Sequence, residues 1–473
     1  MQKEPCETAA LRYAFDRSID YLAGLDSASV GTTVADATLR ERLERPLPDG
    51  PMDPVEVVSD LVAGVEGGLT ASTGGRFFGW VIGGTVPAAL AADWLTSTWD
   101  QVPGVYAVSP AASIVEEVCG AWLLELLGLP ATASYALVTG CQMAHVTCLG
   151  AARNEVLARA GWDVEERGLF GAPAIRVVSG ARRHGTIERA LRMLGMGRAC
   201  LVDIPLEPGA QLTAGALDAV LAEAPGQPTI VLLQAGDVNT GGFDPFADVI
   251  PVAHRHGAWV HVDGAFGLWA AASPAYRHLT RGVEQADSWA TDGHKWLNVP
   301  YDSGYAFVTN REAHHRSLSH HASYLHKSTE IRDAVDWTPE HSRRARGFAT
   351  YAAIRSLGRS GVARLVDDGC RHARALVDAA GRLPGVEVVQ RPIINQGILR
   401  FLDPAPGATE ADHDRRTDAI MAAVMATGEA LFTGTLLYGR RCMRVSVSSW
   451  KTTDEDVRRA VQAIATCLRA ADS

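Results

Sequence analysis

Two short motifs constrain this chain more than anything else in it: His-Val-Asp-Gly-Ala at 261–265 and Asp-Gly-His-Lys-Trp at 292–296. Each reads as a strand that ends in a charge. Trp259, Val260 and Val262 are β-formers bounded by Gly257 and Gly264, so Asp263 is expected at a strand's carboxyl end, where open α/β sheets place their ligands. Ser288, Trp289 and Ala290 form a second apolar run. Lys295 follows it, flanked in sequence by Trp289, Trp296 and Leu297 rather than by other charges.

Lysine is scarce here, since only Lys3, Lys295, Lys327 and Lys451 occur and arginine carries nearly all the other positive charge. A lysine in an apolar site can lose its proton and attack a carbonyl, which an arginine cannot. The same residue also reads as a snorkelling lysine with its stem on the tryptophans. Asp263 tips the balance. A pyridoxal phosphate enzyme needs a lysine to carry the cofactor and a carboxylate to keep the pyridine nitrogen protonated, and the two motifs together supply both.

From residue 174 onward strands (175–179, 200–204, 229–234) alternate with helices (186–194, 245–254) up to the Asp263 strand. That rhythm predicts an α/β fold, a mostly parallel sheet covered by helices on both faces. Earlier, a strand at 135–139 leads into Gly140-Cys141-Gln142 at the mouth of a helix reaching about residue 160. A glycine turn opening a helix presents free N–H groups and a positive helix end, which suits phosphate. Cys141 reads there either as a low-pKa thiol or as a small residue that leaves the amides open. His184, between a strand end and a helix start, either stacks on a flat ring or caps the helix. Ser109-Pro110 is a helix start for 111–127.

The remaining segments frame this unit. Residues 11–70 read as helices forming an amino-terminal arm, 1–85, suited to subunit packing; 86–345 is the cofactor-binding large domain. Residues 346–473, with helices at 349–357 and 362–380 and β-rich pieces at 386–401 and 443–449, read as a small α+β domain. Phe77, Phe78 and Trp80, set among glycines, read as a pocket wall or as core packing.

Composition excludes several classes. A net charge of -10 and pI near 5.8 argue against a nucleic-acid partner. The most apolar region, 79–95, is broken by Gly83, Gly84, Pro87 and Asp93, so no membrane span is expected, and the first ten residues lack a secretory pattern. A cytoplasmic protein follows. The eight cysteines lack metal spacing and read as reduced thiols. Histidines 314, 315, 320, 321 and 326 lack a carboxylate or cysteine partner at helix period, so no metal is expected. No Gly-x-Gly-x-x-Gly opens a helix, which argues against a nicotinamide enzyme.

The chain resembles the pyridoxal phosphate-dependent group II amino acid decarboxylases, the aromatic-L-amino-acid and glutamate decarboxylase-like family of the aspartate aminotransferase fold (fold type I). The matching pieces are Arg76-Phe77-Phe78-Gly79-Trp80, Ser109-Pro110-Ala111 with Glu116 and Glu117, Thr139-Gly140-Cys141-Gln142, His184 with Glu188-Arg189-Ala190, Phe243-Asp244-Pro245, and the two motifs already given. The resemblance implies an L-amino acid substrate, decarboxylated to the amine by a homodimer with its active site at the interface. It implies that Lys295 forms the aldimine, that electrons from the broken bond pass into a quinonoid, and that Asp263 pairs with the pyridine nitrogen. It further implies that Ala265 lies under the ring and His184 over it, that His294 and the Gly140, Cys141 and Gln142 amides hold the phosphate, and that Arg444 clamps a carboxylate. Phe78 and Trp80 are the expected substrate wall.

The chain departs from the family pattern at three places. Gly140-Cys141-Gln142 replaces the usual Gly-Gly-Ser-type turn, and Thr73-Gly74 replaces a His-Pro. Asp333-Ala334-Val335-Asp336 stands where many members carry a loop tyrosine that reprotonates the α-carbon; Tyr324, His320 or His321 are the substitutes in reach. Without that tyrosine, an oxidative decarboxylase releasing an aldehyde, or a lyase acting at the Cα–Cβ bond, is the alternative outcome on the same fold.

Overall fold

The protein is seen in a computed structural model that describes residues 6–207, 209, 211–319 and 332–473. Three helices lead: α1 (Cys6–Gly24), α2 (Asp36–Leu43) and α3 (Pro54–Val65), the last capped by the Asp53 carboxylate. Then come α4 (Pro87–Trp99) and α5 (Pro110–Leu126). Pro110 opens α5, as its fixed φ allows, but the Ser109 hydroxyl makes no capping bond.

Seven strands build the large sheet: β1 (Ser134–Val138), β2 (Arg176–Gly180), β3 (Leu201–Ile204), β4 (Thr229–Gln234), β5 (Trp259–Asp263), β6 (Ser288–Asp292) and β7 (Gly304–Val308). Their order is β1-β7-β6-β5-β4-β2-β3. Only β7 runs against its neighbours, so the sheet is mostly parallel, as the strand–helix rhythm predicts. Between the strands lie α6 (Cys141–Arg159), α7 (Val164–Arg167), α8 (Gly185–Met193), α9 (Ala214–Ala222) and α10 (Phe246–Arg255).

Period-two alternation gives each strand two buried faces. On β4, Val231 and Leu233 join one core while Ile230 and Leu232 join the other; on β5, Val260 and Val262 face one way and Trp259 the other. Trp259, His261 and Asp263 therefore share one face of β5. That face is the one α6 covers, because Ala144, Cys148 and Ala151 of α6 pack in the same core as Trp259.

After α11 (Arg311–Leu318) the chain reaches α12 (Gly347–Ala380). Two helices were expected here, and they meet end to end at Gly358, whose φ of 60° and ψ of 179° break the helix. A second sheet follows: β8 (Val386–Gln390), β9 (Gln396–Phe401), β10 (Thr433–Leu437) and β11 (Arg440–Ser446), ordered β10-β11-β9-β8 and flanked by α13 (Glu410–Ala426) and α14 (Asp454–Asp472). Strand β10 was not expected. It is set by a two-residue turn, Tyr438-Gly439, with φ values of 52° and 76°, which joins it to β11 as a hairpin.

Two glycines draw distant segments onto the carboxyl ends of the strands. A Cβ on Gly83 would strike the Lys295 carbonyl oxygen, and one on Gly304 the Gly140 backbone. Bare backbones at these two points let the 79–84 strap and β7 close over the ends of β6 and β1.

Candidate active site

Asp263 is the last residue of β5 and is 8% exposed. Its Oδ1 accepts the Ala265 N–H at 3.1 Å, a turn bond that fixes the carboxylate at the strand end. One strand over, β6 ends at Asp292, and Gly293-His294-Lys295 turns away from it. Both strand ends open on a cavity of about 230 Å3. Gly140, Cys141, Gln142, His184, Asp263, Ala265, His294 and Lys295 line it, together with Thr186, Gln234, Gly236 and Asp292 and an apolar side of Val81, Val238 and Phe266. The charged ends of the two motifs, Asp263 and Lys295, thus face one space.

Lys295 is not set among tryptophans. Trp296 and Leu297 point into the core of the seven-stranded sheet, as does Trp289, while Lys295 Nζ lies 3.0 Å from Asp292 Oδ2. Neighbours in sequence at a turn diverge in space, so the apolar flanks did not report the environment of the amine. Burial works against the ammonium, yet Asp292, with Cys141 and Asp263 behind it, outweighs burial and raises the Lys295 pKa above its ordinary value. Asp292, which sequence reading passed over, also accepts the Cys141 backbone N–H at 2.6 Å and lies 3.5 Å from His294 Nε2. One carboxylate therefore ties together the lysine, the histidine before it and the mouth of α6.

Cys141 differs from both of its expected readings. Its thiol is pushed well up, first by burial and then by Asp292 and Asp263, so it is no low-pKa nucleophile. Its amide is not open, being bound to Asp292. The side chain points away from the helix mouth, with Sγ 3.4 Å from His145 Nε2 and 4.0 Å from Asp263 Oδ1. Cys141, His145 and Asp263 bring their heteroatoms within 4.8 Å of one another.

His184 caps α8 and lines the cavity; its Nδ1 accepts the Thr186 N–H at 3.3 Å, which places the ring proton on Nε2. Burial lowers its pKa, as it does that of His294. Gln142 donates to the Thr186 carbonyl at 3.2 Å, and its Oε1 is buried with no partner. Tyr301, also passed over, stacks on His294 with ring centroids 4.2 Å apart.

The expected substrate wall divides. Phe78 is fully buried with its ring 5.4 Å from that of Phe432, inside the core of the small sheet, and it does not line the cavity. Trp80 is 55% exposed and stacks on Phe77; its neighbour Val81 is the residue that reaches the cavity. Arg444 of β11 is 8% exposed and donates to the Val238 carbonyl at 3.3 Å and to Thr433 Oγ1 at 3.4 Å, while its Nε has no partner. Of the histidine-rich stretch, His314 is buried between Ser134 and the Trp337 carbonyl. Tyr324, His320, His321 and His326 lie outside the described residues.

An amine and a carboxylate at the ends of adjacent strands, imidazoles at two edges and a helix amino terminus beside them fit pyridoxal phosphate. The orphaned Gln142 oxygen and the tight Gly140, where a Cβ would come within 3.1 Å of His294, mark the same space as made for a ligand. Fold and site together define a pyridoxal phosphate enzyme of fold type I. The chain belongs to the pyridoxal-dependent decarboxylase conserved domain family, whose model matches residues 37–396. It is 28% identical over 480 residues to tryptophan decarboxylase 1 of Oryza sativa subsp. japonica, covering 96% of this chain and 92% of that one. It is 24% identical to aromatic-L-amino-acid decarboxylase of Bacillus atrophaeus, with 94% and 92% covered. A solved structure of Oryza sativa TDC with PLP and tryptamine superposes with a TM-score of 0.92 at 26% identity, covering 100% of this chain and 99% of that one. The protein is thus a pyridoxal phosphate-dependent lyase that decarboxylates an amino acid.

Proposed function

We propose that the substrate is an L-amino acid with a large apolar or aromatic side chain, and that Lys295 and Asp263 are the two groups that grip the cofactor. One observation carries this reading: both side chains line a single cavity at the ends of neighbouring strands. The apolar side of that cavity and the substrates for which the two relatives are named support the substrate class.

Bound here, pyridoxal phosphate supplies an electron sink for cleavage at the α-carbon. Lys295 Nζ would be the attachment point, and the Asp292 carboxylate 3.0 Å away would hold and orient that amine. Asp263 would hold the proton of the ring nitrogen, Ala265 and His184 would contact the ring, and Gly140, Gln142 and His294 would hold the phosphate. Arg444, with its planar fork and unpartnered Nε, orients the substrate carboxylate. Tyr324 is the proton donor we assign to the α-carbon.

The assembly is a homodimer. Leu11, Phe15 and Ile19 of α1 are 67%, 51% and 45% exposed, Leu61 of α3 is 56% exposed and Trp99 of α4 48%, an apolar surface that a second copy covers. Sedimentation at micromolar concentration tests it, and a monomer overturns it. Among the described residues no helix is long and apolar enough to cross a membrane. The seven described cysteines are free, which supports a cytoplasmic setting.

The alternative outcome keeps one supporting observation. The stretch 333–336 holds no phenol, and Asp333 is committed to the Tyr106 N–H at 2.7 Å. Incubating the holoenzyme with L-tryptophan, L-tyrosine, L-phenylalanine and L-2,4-diaminobutyrate separates the cases. Carbon dioxide with an aromatic amine supports the reading; turnover of diaminobutyrate alone, or aldehyde with ammonia and peroxide, overturns it.

A further inference from the structure

Behind Asp263, away from the cavity, a line of buried groups runs through the sheet. His145 Nε2 lies 3.6 Å from Asp263 Oδ2. His145 Nδ1 lies 3.0 Å from His261 Nε2, and His261 Nδ1 lies 2.9 Å from Ser288 Oγ. The Trp259 indole N–H donates to the same hydroxyl oxygen at 2.9 Å. Both imidazoles and Ser288 are 0% exposed. The register of the fold builds this line. His261 pairs directly with Ser288 across β5 and β6, His261 and Asp263 share a face two residues apart, and Cys141 and His145 are one helical turn apart on the face of α6 above them.

The direction of its protons is fixed from the carboxylate end. A carboxylate only accepts, so the His145 nitrogen beside it carries the N–H; a bare lone pair there would face the anion in a dry interior. Each neutral imidazole has one N–H. His145 Nδ1 therefore accepts from His261 Nε2–H, His261 Nδ1 accepts from the Ser288 hydroxyl, and the Ser288 oxygen accepts from Trp259, so that the groups from His145 Nδ1 to Trp259 are all paired. The Cys141 thiol sits in the angle between His145 and Asp263 and passes a second, weaker donation to Asp263 Oδ1. The other groups that face His145 or bear on it are Asp292, His184 and Lys295. Burial keeps both imidazoles neutral, with each pKa lowered to about 3.

We infer that His145, with His261 and Ser288 behind it, is a positioning relay that aims an N–H at Asp263 and thereby sets the orientation and basicity of the carboxylate that faces the cofactor's ring nitrogen. This rests on the reading of Asp263 given above. At 3.6 Å the contact is electrostatic rather than a full hydrogen bond, so it biases the carboxylate without taking its charge.

The test uses pyridoxal 5'-phosphate and its 1-deaza analogue, which lacks the ring nitrogen, with binding to the full-length protein read by equilibrium dialysis. Wild type binds the native cofactor more tightly, and Asp263→Ala removes that preference; if it does not, the Asp263 reading itself fails. His145→Leu then lowers affinity for the native cofactor about tenfold, the worth of one charge-assisted contact, and leaves the analogue unchanged. Equal loss for both probes shows a merely structural role and overturns the relay, as does no loss for either. Should His145→Leu fail to fold, Ser288→Ala breaks the line at its far end, and a selective loss of about threefold is expected from so remote a donor. No selectivity there overturns the relay as well. Neutron diffraction reads the polarity directly, with deuterium on Nε2 of both histidines expected and on Nδ1 of either one excluded.

Discussion

The cavity has two walls of unlike construction. The inner one, Cys141, Asp263, Asp292 and Lys295, stands on the ends of β5 and β6 and the mouth of α6, elements whose spacing the sheet fixes. The outer one is assembled from pieces far apart in sequence, Val81 on a glycine-rich strap and Val238 in the loop after β4, and Arg444 of the small sheet braces it from behind by donating to the Val238 carbonyl. The inner wall holds groups in hydrogen bonds of 2.6 to 3.1 Å, whereas the Arg444 contacts to Val238 and Thr433 are 3.3 and 3.4 Å. The wall that carries the charged groups is built on regular strands, and the apolar wall is built on connecting segments, which tolerate change more readily.

That contrast breaks if inner and outer substitutions have the same signature. Lys295→Ala has the largest expected effect: turnover and the visible absorbance of the holoenzyme are both lost, and retention of both sinks the assignment. Asp263→Ala follows, with kcat down roughly 10^3-fold at similar substrate KM, because it acts on charge developing in the reaction rather than on affinity. Steady-state kinetics on the reconstituted variant check it. Arg444→Gln belongs to the outer wall and has the opposite signature, a KM raised about 10- to 100-fold with the cofactor spectrum unchanged. If Arg444→Gln instead alters the spectrum and spares KM, Arg444 is part of the inner wall.

The same division explains what the sequence disclosed. β5 was legible because it is a short β-former run bounded by glycines, and β6 because it is a short apolar run; Asp263 followed from strand direction, but the charge that ends β6 did not. The relay was missed although its spacings are elementary, His261 two residues before Asp263 and His145 four after Cys141. Nothing in one sequence says that α6 lies over β5 rather than on the other face. Lys295 was placed in an apolar setting because its sequence neighbours are tryptophans, and Asp292 was overlooked three residues away, although a turn brings residues i and i+3 together. Phe78 was taken for a wall because glycines around it suggested an open loop. Those glycines serve close packing instead, and the ring goes into the small sheet's core.

The back of the inner wall makes the fold acid-sensitive, and the outer wall does not. His145 and His261 titrate near the ordinary 6.5 when unfolded but are held to about 3 when folded. Between those values the unfolded chain binds protons that the native state refuses, so stability present above pH 6.5 is lost as pH falls toward 3. The slope is up to about 1.4 kcal/mol per pH unit for each imidazole. Denaturant unfolding from pH 7 down to about 4 measures it. His145→Leu removes one of the two titrations and makes the slope shallower, while Arg444→Gln leaves it as it was. An unchanged slope in His145→Leu contradicts the buried neutral imidazole.

The smallest expected effects on catalysis fall on the aromatic strap, where wall and core meet within three residues. Trp80 is 55% exposed and has a φ of 46°, a conformation that favours glycine, so Trp80→Gly loses a stacked ring but relieves the backbone. Global stability should move by less than about 1 kcal/mol. The KM for bulky substrates should rise a few-fold because the strap that carries Val81 loosens. Phe78, two residues earlier and fully buried, should behave in reverse: Phe78→Ala costs about 3–5 kcal/mol, and whatever fraction remains folded keeps its substrate preference. Calorimetry on both variants, with kinetics on a small and a large amino acid, reads the two effects separately. If Phe78→Ala changed the preference at unaltered stability, the boundary between wall and core would have to be drawn on the other side of Gly79.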